Sequence, residues 1–119
     1  PGYNETNKVI PEKTTDRLIP LNNAEVAPSY PGGEEALIKF LQKNLNNPAD
    51  LEDGQVVSVK IKFIVGYNGV LKGFEVLEDG GKAFNNEVIR VLKKMPVWVP
   101  GKNAGEHVSV YYTIPVKFM

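Results

Sequence analysis

A proline inside an alternating strand restricts where that strand can lie, and this chain ends on such a strand. From Val108 to Phe118 every even position is apolar (Val108, Val110, Tyr112, Ile114, Val116, Phe118), while the odd positions carry His107, Ser109, Tyr111, Thr113, Pro115 and Lys117. A period of two is what a half-buried strand needs. Pro115 has no N–H to give a ladder, so it is tolerated only where that N–H would face away from a neighbour. The strand is therefore expected at a sheet edge. Backbone groups of like parity point to the same side, so Ser109, Tyr111 and Thr113 face the open margin with Pro115. An open edge of unpaired donors and acceptors is a hazard unless it is blunted or meant to be paired. Pro115 and Lys117 blunt it; pairing with an extended peptide is the use it offers.

The rest of the chain must supply a core for this edge. At 119 residues and 42% hydrophobic content it suffices for one small domain. No apolar run approaches the roughly 20 residues that span a bilayer, and a chain that starts at Pro1 without methionine reads as a processed product or an excised fragment. Fourteen basic and fourteen acidic residues cancel, which leaves no long-range field to collect nucleic acid or anionic lipid. With no cysteine, disulfides and thiolate metal sites are excluded.

Residues 1–23 are rich in proline and asparagine and poor in apolar side chains, and read as a linker or loosely attached arm. Within them Asn4-Glu5-Thr6 fits a glycosylation triplet, a pattern short enough to arise by chance. Residues 24–29 admit a short extra strand, limited by Pro28, and Pro31-Gly32-Gly33 is a turn that opens a helix. From Glu34 to Leu45 the residues Leu37, Phe40, Leu41 and Leu45 recur at helical spacing, with Glu34 and Glu35 in the first turn where the helix dipole favours anions. Residues 55–65 alternate Val57, Val59, Ile61, Phe63 and Val65 against polar neighbours, without glycine or proline, as a central strand can. Asn68-Gly69 suggests a type I′ turn into a partner strand over 70–78. A second amphipathic helix follows through Phe84, Val88, Val91, Leu92 and Met95, stopped by Pro96. Residues 96–105 then form a stiff connection into the last strand. The fold expected is α+β: two helices on one face of a three-stranded antiparallel sheet in the order 70–78, 55–65, 107–118.

Several stretches together carry a family resemblance. They are Tyr30-Pro31-Gly32-Gly33-Glu34-Glu35-Ala36-Leu37, Gly54-Gln55-Val56-Val57-Ser58-Val59-Lys60, Asn68-Gly69-Val70, the run from Met95 through Trp98, Pro100 and Gly101 to Lys102, and Val108 to Val116. In this order they resemble the C-terminal domain of the TonB family over about residues 24–119, in the form found in Bacteroidetes. The resemblance implies a non-enzymatic periplasmic module without cofactor, belonging to a transducer anchored in the inner membrane. A proton-driven motor would couple to parts outside this fragment. It implies docking of the Ton box, a short extended segment of an outer-membrane receptor plug, beside the last strand. That places partner contacts on Ser109, Tyr111, Thr113, Pro115 and Lys117, with Tyr30 and Pro31 flanking, and makes Trp98 a structural cap. The resemblance also reaches domains appended to membrane metallopeptidase sensors of the antirepressor type. A second copy of the chain is a further partner such an edge admits.

Other constellations are weaker. His107 and Ser109 share a strand face as a base and nucleophile would, but no orienting acid or oxyanion hole accompanies them, so no catalytic residue is assigned. Glu75, Glu78 and Asp79 match no metal-ligand spacing. Lys93, Lys94 and Lys102 read as solvated cations. Lys72-Gly73-Phe74 echoes the aromatic strand of RNA-recognition modules, but Glu75 and Val76 stand where a small residue and a stacking aromatic belong.

Overall fold

The computed structural model describes residues 17–119; the Asn4 triplet and most of the proline-bearing arm lie outside them. Tyr30 to Gly33 forms a turn in which Gly33 N–H donates to the Tyr30 carbonyl at 2.8 Å, with Pro31 and then Gly32 (φ +90°) at its centre. That is the chemistry of a type II turn, which needs a left-handed residue at its third position. It delivers the chain into helix α1, Glu34–Asn44, whose Leu37 is buried and whose Phe40 and Leu41 pack on the core.

Strand β1, Val57–Val65, buries Val59, Ile61, Phe63 and Val65 almost completely while the intervening residues stay half-exposed. It is the central strand, flanked by β2 (Leu71–Glu78) on one side. The turn between them differs from the type I′ expectation. Only Gly69 takes positive φ (+83°) there; its N–H donates to the Gly66 carbonyl at 2.7 Å, and Gly66 N–H donates to the Val70 carbonyl at 2.9 Å. The loop is thus a residue longer, a tight turn closed by a glycine bulge, because Gly66 opens the hairpin before Asn68 is reached.

Helix α2, Lys82–Leu92, begins behind a turn held by side chains. Asp79 Oδ1 accepts Gly81 N–H and Asn85 Nδ2, and Asn85 Oδ1 accepts Gly80 N–H. The helix ends earlier than its apolar pattern suggests, since Lys94 and Met95 donate to carbonyls three residues back, at Val91 and Leu92, and so tighten the last turn. Its Val88 and Leu92 join Leu37 of α1 in one cluster with the inward side chains of β1. Arg90 straps the two helices, pairing with Glu87 at 2.7 Å and donating to the Asn44 carbonyl, while Glu87 accepts Asn46 N–H.

The last strand is not continuous. β3 (Gly101–Asn103) and β4 (Glu106–Val108) form a small hairpin of their own, and β5 (Val110–Phe118) then pairs along its whole length with β1, from Val65↔Val110 to Val57↔Phe118. The main sheet is antiparallel in the order β2-β1-β5. The break falls at Ser109, where Val108, Ser109 and Val110 are all buried, a run that no alternating strand can present. The expected strand at 24–29 is present only as two isolated antiparallel bridges, Val26↔Lys102 and Ser29↔Val99. At Gly101 a Cβ would sit 2.9 Å from both the Val26 carbonyl oxygen and Val110 Cγ2, so glycine lets these segments close on each other behind Pro100.

Candidate functional site

With β1 taking one side of β5, the parity of the other side is set by two hydrogen bonds. Leu21 N–H donates to the Ser109 carbonyl and Tyr111 N–H donates to the Leu21 carbonyl, both at 2.9 Å. Odd residues of β5 therefore point outward. Beyond Tyr111 no strand covers that side among the described residues. The exposed margin comprises the N–H groups of Thr113 and Lys117 and the carbonyls of Thr113, Pro115 and Lys117, while Pro115 contributes no donor. Such a row can hydrogen-bond a further extended chain.

Beside this margin, on the helix-bearing face, runs a groove of about 370 Å³ between α1 and the end of β5. Ile38, Leu41 and Leu45 line one wall, and Pro115, Phe118 and Met119 the other. On the opposite face Lys62 places its Nζ 4.2 Å from the centroid of the Tyr111 ring and holds it against the sheet. A strand laid on this edge would alternate its side chains between the groove and the Tyr111–Thr113 surface.

The structure brings together Tyr111, Thr113, Pro115 and Lys117, and separates the other expected contacts from them. Ser109 is fully buried; its hydroxyl accepts Tyr67 N–H and donates to the Arg17 carbonyl at 2.6 Å, so its stretch of edge is filled by the chain itself. The same bond leaves the hydroxyl engaged away from His107. Tyr30 is buried, its ring centroid 5.8 Å from those of Phe40 and Trp98, and Pro31 belongs to the turn before α1; neither lines the groove. Burial also raises the pKa of the Tyr30 hydroxyl.

Trp98 sits at the centre of an aromatic cluster. Its centroid lies 5.0 Å from Tyr112, 5.6 Å from Phe63 and 5.8 Å from Tyr30, and its Nε1 is buried without a hydrogen-bond partner among the described residues. Tyr112 alternates inward from the edge, and both burial and the Glu34 carboxylate raise its hydroxyl pKa. Phe74, the aromatic of the RNA-module echo, packs half-buried against the same cluster, 5.9 Å from Phe63.

Two features escaped the sequence reading. The groove wall left a signal that could have been used, since Ile38 and Gln42 widen the core-facing stripe of Leu41 and Leu45 on α1. The arm residues Arg17 and Leu21 gave no periodic signal at all.

The family described as Gram-negative bacterial TonB protein C-terminal matches residues 49–119, a stretch that contains every strand of the fold and the whole of α2. No curated protein and no solved structure matches the chain.

Proposed function

Since the chain belongs to the TonB C-terminal family, whose domains are periplasmic interaction modules, we propose that it is the receptor-docking domain of an energy transducer and captures the Ton box of an outer-membrane receptor by strand addition to β5. The observation that supports this most is the margin Thr113–Lys117, uncovered among the described residues and lying directly beside an apolar groove. Residues 24–119 act as the folded unit, because Tyr30 and Leu37 share one core with the matched strands, and residues 1–23 as its arm. The inner-membrane anchor and the motor that couples to it belong to other parts of such a transducer.

In this mode main-chain hydrogen bonds along the margin set direction and register, and the groove selects the side chain that enters it. Each bond contributes a net of about 0.5–1.5 kcal/mol, so one short strand gives weak to moderate affinity. The test is Thr113→Pro. The Thr113 N–H points outward, so its loss costs no bond to β1. Binding of a synthetic Ton box peptide, taken from a receptor of the same genome, should disappear by isothermal titration calorimetry while the circular dichroism spectrum is unchanged. Unaltered binding would remove the mechanism.

A further inference from the structure

The upstream half of the β5 edge is already covered by a short segment of the chain itself. Leu21 is bridged to Val110 in the parallel sense, through its N–H to the Ser109 carbonyl and its carbonyl from Tyr111 N–H. Arg17 extends the contact: its Nε donates to the His107 carbonyl at 3.0 Å, its carbonyl accepts the Ser109 hydroxyl, and its guanidinium lies 4.4 Å above the Tyr67 ring. The chain then leaves the edge, since Val26 pairs with Lys102 and Ser29 with Val99. Thus, among the described residues, the edge is divided at Tyr111 into a filled part and an uncovered part at Thr113–Lys117.

We infer that residues Arg17 to Leu21 are an intramolecular competitor for the docked peptide, resident on Ser109–Tyr111 and displaced when a peptide extends past Thr113. The inference rests on the docking reading above and adds its regulation. The arm is held by polar bonds, in part to the buried Ser109, and by the half-buried Pro20 and Leu21, whereas Leu18 and Ile19 remain 63% and 59% exposed, so only modest apolar area anchors it. Segments with few buried apolar contacts open at low free-energy cost. An occupied edge lowers apparent affinity in proportion to the fraction of molecules with the edge free. Releasing the arm therefore tightens binding, and pinning it weakens binding.

The full-length chain permits both manipulations. The double variant Arg17→Ala/Leu21→Pro removes the guanidinium contacts and the Leu21 donor. The double variant Leu21→Cys/Val110→Cys pins the arm, because directly bridged strand residues lie within disulfide reach and the chain has no other cysteine. Titrated with the same synthetic peptide, the releasing variant should bind about tenfold tighter than the parent, with the Tyr111 amide losing its protection from hydrogen exchange in the unbound protein. The oxidised pinned variant should bind about tenfold or more weakly than its own reduced form. Equal affinities of parent and releasing variant, weaker binding by the releasing variant, or equal affinities of the oxidised and reduced pinned forms would each overturn competition while leaving docking intact. Absence of binding in every form would instead refute the docking reading, and the competitor with it.

Discussion

Gly69 joins the β1–β2 hairpin to the segment that carries Trp98, and Gly69→Ala measures what that junction contributes. Gly69 has φ +83°, and its carbonyl accepts Trp98 N–H at 2.9 Å. A Cβ built there would stand 2.2 Å from the Trp98 carbonyl oxygen and 2.5 Å from Val97 Cγ1. Holding alanine in the left-handed region costs about 1–2 kcal/mol. The clash cannot be relieved without moving the Trp98 backbone, which endangers the hydrogen bond, a further 0.5–1.5 kcal/mol or so, and disturbs the aromatic packing. The expected total is about 2–4 kcal/mol, leaving a folded protein if its stability lies in the usual range of about 5–15 kcal/mol. Gly54→Ala is the matched control, with φ +82° and nothing within 4 Å of the added carbon; it should show the conformational cost alone, about 1–2 kcal/mol. Urea unfolding followed by fluorescence of Trp98, the single tryptophan, reads both. Equal losses from the two substitutions, with an unshifted Trp98 emission spectrum, would refute the argument that close approach makes Gly69 necessary.

Two pH-dependent expectations follow from the helix strap and the aromatic cluster. Arg90, chiefly through its hydrogen bonds, holds the Glu87 carboxyl below the ordinary glutamate value of 4.5. A depressed folded value contributes stability above the unfolded value and loses it as pH falls through the folded one. Urea midpoints of the parent and Glu87→Gln should therefore differ at neutral pH and converge in acid; a constant gap would refute the linkage. At the alkaline end, Tyr30 and Tyr112 titrate above the ordinary value of 10.0, through burial and, for Tyr112, also through Glu34. Raised folded values mean stability is complete below 10.0 and declines as pH rises through the folded values. Ultraviolet titration should show tyrosine ionisation that finishes only above the ordinary value, and a titration complete at that value would contradict the placement of Tyr30 and Tyr112.

The strands and helices were legible because their burial follows one period each. Val59, Ile61, Phe63 and Val65 alternate, and Val88, Val91 and Leu92 recur on one helical face, so the residue pattern and the core coincide. The edge position of β5 was legible for a different reason, a single missing donor at Pro115. What could not be read were contacts between distant polar segments. Ser109 has the parity of a solvent-facing residue, yet it is buried because Arg17 and Tyr67, far away in sequence, close over it. The β3–β4 hairpin is only a few residues long and reverses through Ala104 at φ +50°, a conformation alanine seldom adopts and no composition announces. The Asn68-Gly69 turn failed by one residue, since the local signal carries no information about the neighbouring Gly66.

The gap at Pro115 has a consequence for whatever lies down next to it. Usable donors on the free half of the strand, Thr113 and Lys117, are four positions apart, or about 13 Å along an extended chain. A guest must offer carbonyls at that interval and tolerate an unanswered one midway. Sliding it by two places presents the same spacing again, so the imino ring thins the ladder equally in every such register and leaves the choice among them to the side chains that enter the groove.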